Sequence, residues 1–208
     1  GFVAGTLPAS YVWYLLLTEL VVHSTPQLFR GIQEEIQSGD ILHRLLKPIA
    51  YPLIPLAEGS GIALVRIAYL FPFGLFFAAL LTGGMPLQRL GLAAGIILVP
   101  LACIVLLTFL TSIGLLAAWL QDSAPLYWIF SKSNFVLGGL MLPISIYPEW
   151  LQETAAVTPF YALLYGVGRN VLDFSWSALL VSVVLPLLWL LVGLALVRVI
   201  YRRLTQFL

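Results

Sequence analysis

Residues 34–48, EEIQSGDILHRLLKP, form the one long polar interruption in an otherwise oily chain. The chain holds ten Lys and Arg, nine Asp and Glu, and two His. Glu34, Glu35, Asp40, Arg44, Lys47 and one of the two histidines, His43, all fall in this short stretch. A cluster this charged is excluded from hydrocarbon, so it marks a water-facing side of a membrane. Its periodicity predicts two helices and a corner. Pro26 opens a first helix in which Phe29, Ile32 and Ile36 recur at helical spacing, with Gln33, Glu34, Glu35 and Gln37 between them. Gly39 supplies the C-terminus of that helix and Asp40 an N-cap for the next. The second helix is amphipathic, with Ile41, Leu42, Leu45 and Leu46 on one face and His43 and Arg44 on the other. Lys47 in its last turn complements the helix dipole, and Pro48 ends it. On pattern alone the stretch is either a docking handle for a soluble partner or a helix lying in the lipid interface. The acidic and amide side chains between Gln33 and Gln37 weigh mildly against an anionic lipid surface.

The surroundings of this stretch are 61% hydrophobic overall, and only 9% of the 208 residues are charged. Soluble domains carry about 25% charged residues. The composition therefore specifies an integral membrane protein, an all-α polytopic transmembrane helical bundle. A net charge of +1 with no basic patch gives no reason to expect nucleic acid. Thirteen prolines and seventeen glycines imply broken or kinked spans, which membranes tolerate where neighbouring helices satisfy the freed backbone. Cys103 is the single cysteine and has no internal disulfide partner. No signal peptide is apparent. The chain starts at Gly1, and its true N-terminus is expected to be missing.

A helix needs about 20 mostly apolar residues to cross a bilayer. A first, short span is expected over 7–22, with Tyr11, Trp13 and Tyr14 as interfacial aromatics and Glu19 close to the interface. Residues 51–59, with Pro52 and Pro55, read as a bent approach to a second span over 61–81. Arg66 there either snorkels to the interface or pairs with Glu58. A turn at 83–86 closes that span. Residues 90–121 carry no charge and read as one tilted span kinked at Pro100. A turn at 121–125 leads to a fourth span over 126–146. Residues 147–174 then suit an external re-entrant or interfacial segment of short helices, too short between 155 and 167 to cross. The last span is 175–197, interrupted by Pro186. Arg30, Arg44, Lys47, Arg198, Arg202 and Arg203 fall on one side of these five crossings, and Arg89 and Arg169 on the other. The positive-inside rule places the first set in the cytoplasm, and Gly1 and 147–174 outside.

Two motifs in this order resemble one family. Ile36, Gly39, Ile41, Leu45, Leu46, Lys47 and Pro48 are similar to the cytoplasmic segment of ABC-2-type transporter permeases, in the branch associated with drug and antibiotic export. Gly138, Gly139, Pro143, Tyr147, Pro148, Trp150 and Leu151, followed by Thr158, Pro159 and Phe160, resemble the passage where that family's fifth span leads into its external re-entrant segment. The resemblance covers nearly the whole chain. It implies a single transmembrane permease domain over 1–208, N-terminally incomplete because the family has six spans and five are counted here. It implies coupling helices at 27–47 that dock into a separate cytoplasmic ABC ATPase, and a second permease chain completing a homo- or heterodimer. No cofactor is expected on this chain, ATP and Mg belonging to the ATPase. The implied location is the bacterial cytoplasmic (inner) membrane, multi-pass, with the C-terminus in the cytoplasm.

No catalytic constellation competes with that reading. His23 and His43 lie twenty residues apart, with no carboxylate at ligand spacing on a helix face that the two share, so no metal or catalytic site is expected. There is no P-loop pattern and no G-x-S-x-G. The glycines at 138–139 and 166–168 lack a strand–loop–helix context and read as packing and turn positions. An ion-coupled carrier is an alternative, but Glu19, Arg66 and Lys132 sit towards span ends rather than at mid-membrane. A scaffold without transport activity is another. The residues expected to contact the ATPase are Glu34, Glu35, Asp40, His43 and Arg44, with Gly39 as the corner. Candidates for the substrate pathway are Lys132, Asn134, Tyr161 and Tyr165.

Overall fold

The computed structural model describes residues 9–86, 88–140 and 142–207. Leu7 and Pro8, where the first expected span begins, lie outside the described residues. Everything regular among the described residues is helical. Helix α1 (Ala9–Ser24) is followed by α2 (Leu28–Ser38) and α3 (Ile41–Leu45). Then come α4 (Leu53–Thr82), α5 (Arg89–Leu115), α6 (Ala117–Leu120) and α7 (Ala124–Leu137). The chain finishes with α8 (Glu149–Ala156), α9 (Gly166–Leu172, entered through a π-helical turn at Tyr161–Tyr165) and α10 (Trp176–Phe207).

Helix α5 is the axis. It packs against α10, α2, α9, α4 and α1. Leu98, Ala102, Val105 and Leu107 along it are buried. Three stretches are long and apolar enough to cross a bilayer: Leu53–Thr82, Arg89–Leu120 and Trp176–Gln206. The uncharged run from 90 onward is thus a single long element, as expected, turning slightly at Leu116 between α5 and α6. The other two expected crossings correspond to α1 and α7. They have 16 and 14 residues, fewer than the roughly 20 that a full crossing takes.

Several boundaries depart from expectation for identifiable reasons. Residues 51–59 are no bent approach: α4 is already helical at Leu53, with Pro52 at its N-cap and Pro55 in its first turn. A proline there lacks only an N–H that would have had no intrahelical partner. The fourth span does not run to 146. Helix α7 stops at Leu137 because Gly139 takes a left-handed conformation, φ +66°. The amide of Leu140 donates to Phe135 O (3.3 Å) and that of Gly139 to Val136 O (3.3 Å), the paired closure of a Schellman turn. Trp13 and Tyr14 are not interfacial. They are 1% and 0% exposed, because the Gly139 turn and α9 cover that face of α1. The Tyr14 hydroxyl donates to the carbonyl of Gly139, and the Cα of Gly168 lies so close to the Tyr14 ring that a Cβ there would meet it at 2.5 Å.

Residues 147–174 do form short helices, but the second of them is not a surface feature. Leu163, Leu164 and Val167 are fully buried. Gly91 of α5 lets the backbone of α9 approach: a Cβ at 91 would collide with the carbonyl oxygen of Asn170. The glycines at 166–168 also read correctly as packing positions at Gly168. Arg66 does not pair with Glu58. Its Nη1 donates to the carbonyl of His23 (3.3 Å), in the last turn of α1.

Overpacked cores lose about 1–3 kcal/mol or more, and at Gly91 the obstacle is backbone, which cannot rotate away. Gly91→Val is therefore expected to lower the temperature at which the detergent-solubilised protein stays monodisperse in size-exclusion chromatography. Gly31→Ala, where a Cβ meets nothing within 4 Å, is expected to leave it unchanged.

Candidate functional site

Helices α2 and α3 meet at Gly39, whose φ of +82° requires a residue without a Cβ penalty. The helix–glycine–helix reading of this stretch holds. Asp40 stands at the N-cap position of α3 but does not cap it; its carboxylate accepts from Ser38 Oγ instead (2.8 Å). The apolar face of α3 is only half used. Ile41 is buried in a cluster with Tyr51, Leu115 and Leu204, and Leu45 packs against that cluster, whereas Leu42 and Leu46 are exposed. A helix of five residues is too short to turn four leucine-type side chains towards one neighbour.

Two sets of polar contacts strap this segment to the spans. The first centres on Glu35. One carboxylate oxygen receives Arg44 Nη2 (3.0 Å) and the other receives the Tyr51 hydroxyl (2.7 Å). Arg44 also reaches Glu58 on α4 (Nη1–Oε1, 3.6 Å). Burial, reinforced by the hydrogen bond to Glu35, pushes the Tyr51 phenol far up, so it remains a donor throughout the physiological range. The second set joins α2 to the turn before α7. Gln33 Oε1 accepts from both the amide (2.8 Å) and the hydroxyl (2.6 Å) of Ser123. Gln33 Nε2 donates to Asp122 (3.2 Å), and Gln37 donates to the carbonyl of Gln121. One turn earlier Phe29 stacks on Tyr127 of α7, with centroids 4.2 Å apart and planes 17° apart.

The six residues expected at an ATPase contact are thus together but unequal. Glu34, Asp40 and His43 are exposed. Glu35 and Arg44 are occupied in the strap to Tyr51 and α4. Gln33, Gln37, Tyr51 and Glu58 were not among the residues expected at the site. The signal existed for the two glutamines, which follow Phe29 at intervals of four and so share its face.

The four substrate-path candidates do not converge. Lys132 is exposed on α7 with its ammonium 5.5 Å from the Trp128 ring centroid. Asn134, on the same helix, lines a separate niche of about 120 Å³ between α1, α5 and α7, shared with Thr25, Gln27 and Ser131. Tyr161 and Tyr165 contact each other, centroids 4.9 Å apart. They line a third space of about 280 Å³ with Ser145, Gln152 and Glu153.

Of comparisons with known proteins, a family model described as ABC-2 family transporter protein matches residues 5–207. No curated protein and no solved structure matches the chain. If Tyr51 holds the corner through Glu35, Tyr51→Phe removes one hydrogen bond of about 1 kcal/mol and is expected to speed amide exchange across residues 36–45. Glu34→Gln, a change at an exposed carboxylate, is expected to leave that exchange as in the wild type.

Proposed function

The chain belongs to the ABC-2 family of transporter proteins, and from that premise we propose that it is the membrane-spanning permease subunit of an ATP-driven exporter. ATP is hydrolysed on a separate cytoplasmic ABC ATPase, and this chain moves a hydrophobic or amphipathic substrate in response. The observation that carries the reading is the double strap on α2 and α3. A segment with exposed Glu34, Asp40 and His43 on one side is tied on the other to α4 through Glu35, Arg44 and Glu58 and to the start of α7 through Gln33 and Gln37. A push on its exposed side therefore reaches two helices at once, the long apolar α4 and the shorter α7. A helix lying passively on lipid has no use for such ties.

Closure of the ATPase pair would press on the exposed side chains, and the straps would pass that displacement to α4 and α7 as a rigid-body movement. Association with a second permease chain would complete the path. Basic residues near the same membrane face, Arg44, Lys47, Arg198, Arg202 and Arg203, favour a cytoplasmic location for this segment and for the C-terminus. The membrane would be a bacterial cytoplasmic membrane.

Co-purification of the permease with the ATPase encoded beside it tests this directly. The wild type is expected to retain the ATPase in mild detergent, and Glu34→Lys with Asp40→Lys to lose it while eluting at the same size without its partner. Retention by the double variant would remove α2–α3 from the contact.

The corner yields a second outcome. A β-branched side chain at φ +82° is strained by about 1–2 kcal/mol, and nothing within 4 Å would block it sterically. Gly39→Val is therefore expected to keep the fold and the ATPase but to break the link between hydrolysis and transport. Gly39→Asn, which tolerates the left-handed region, is expected to preserve most of the coupling.

A further inference from the structure

Glu19 and Arg66 lie towards span ends when the chain is read in order, but packing places them deep in the bundle. Leu17 seats on Gly95 of α5, and the carbonyl of Val21 receives the Cys103 thiol (3.7 Å). Glu19 stands between those two levels of α1. Cys103 is near the middle of the Arg89–Leu120 crossing. Arg66, which donates to the carbonyl of His23 (3.3 Å), is near the middle of α4 (Leu53–Thr82). Both long helices thus put Glu19, His23 and Arg66 at mid-membrane height. An ionisable side chain at that depth is costly and points to a functional site.

The carboxylate of Glu19 opens onto a groove. Leu16, Leu20 and Leu70 line it together with Glu19 and His23, and it holds about 230 Å³ between α1 and α4. The Glu19 side chain is 41% exposed, so an entering group can touch it. His23 Nδ1 faces two acceptors, the carbonyl (3.0 Å) and the carboxylate (3.2 Å) of Glu19. That nitrogen therefore carries a proton, and in the neutral ring Nε2 is left as a further acceptor. Among the described residues no donor reaches the second carboxylate oxygen of Glu19, and no ion pair joins Glu19 to Arg66. Arg66 is spent on the last turn of α1 and does not line the groove. The wall is thus leucine with one negative, acceptor-rich spot.

We propose that this groove binds the ammonium head of an amphiphilic amine that enters sideways from the lipid. Glu19 is its counter-charge, and the leucines surround the start of its chain. Charge complementarity selects this occupant. An alkylammonium brings both the donors and the positive charge that the carboxylate lacks, and pairing offsets the cost of a charge held away from water. An alcohol donates but leaves the charge uncompensated. A carboxylate adds a second negative charge and no donor. At about 230 Å³ the groove takes a head group and its first methylenes, less than the several hundred Å³ of sites that enclose drug-sized molecules. One wall belongs to α4, the helix that Arg44 of α3 holds through Glu58, so a movement of α3 that shifts α4 against α1 reshapes the groove. The inference rests on the permease reading in calling the amine a substrate; the binding itself does not.

The test uses octylammonium, octanol and octanoate, three heads on one chain. Their saturable binding to the purified chain in phosphatidylcholine nanodiscs is measured by calorimetry against empty nanodiscs. The expected order is octylammonium, then octanol, with octanoate undetectable. Glu19→Gln, nearly isosteric, is expected to weaken octylammonium about tenfold, the worth of a charge-assisted hydrogen bond, and to leave octanol unchanged. Glu19→Asp keeps the charge and is expected to keep the preference for ammonium over alcohol; it carries the comparison if the glutamine variant does not fold. Absence of saturable octylammonium binding, equal affinity for it in the wild type and Glu19→Gln, or loss of the preference in Glu19→Asp overturns the site. Disulfide-linked dimers of Leu16→Cys under mild oxidation, with no amine bound by the wild type, assign the groove to a second copy and overturn it likewise. Co-purification with the ATPase does not depend on Glu19, so failure here and failure of the permease reading are told apart.

Discussion

The carboxylate of Glu35 takes a guanidinium on one oxygen and a phenol on the other. With those two bonds a short stretch of water-facing helix is fastened to the root of a transmembrane span. Charge-assisted hydrogen bonds of this kind are stronger than neutral ones, and here both ends are partly shielded from water. The geometry of α2 and α3 relative to α4 depends on them. They add to the apolar cluster that Ile32 of α2 and Ile41 of α3 share with Tyr51. The glutamine strap on the other flank has one charged member, the Asp122 carboxylate, and engages three consecutive residues, Gln121, Asp122 and Ser123. Two differently built attachments thus hold the α2–α3 corner against α4 and the turn before α7.

Much of this was legible in the chain. Charge concentrated in one short stretch of an apolar sequence has no place but the membrane surface. A glycine between two amphipathic patterns has few roles besides a corner. The long uncharged run from 90 to 121 has too few residues for two crossings, and α5 with α6 bears that out. These inferences rest on local constraints, which sequence carries well. The losses came where one element decides the fate of another. Trp13 and Tyr14 looked interfacial because aromatics near a span end usually are. They are buried because a turn more than a hundred residues away folds over them. The end of α7 was misplaced because the span was drawn on to 146 through Gly138–Gly139; of the packing and turn roles read for these glycines, Gly139 takes the turn, as the left-handed closure of a helix.

The candidate site divided along the same line. Exposure of Glu34, Asp40 and His43 followed from pattern. The internal engagement of Glu35 and Arg44 did not, since it needed Tyr51 and Glu58 to be brought alongside by the path of the chain after Pro48. Residues proposed for a substrate route were chosen as polar exceptions in an apolar background. Such a rule selects every polar exception, whichever way it faces. Asn134 and Lys132 are two positions apart on one helix, and helix geometry alone sends them to different sides.

The contact between Tyr14 and Gly139 joins residues 125 positions apart. During synthesis, α1 emerges long before the turn that will accept its phenolic proton exists. Until residue 139 follows, that hydroxyl has no carbonyl of the turn to bind, and a hydroxyl in hydrocarbon without a partner is disfavoured. The final packing of α1 is therefore reached only once a segment more than a hundred residues later is in place.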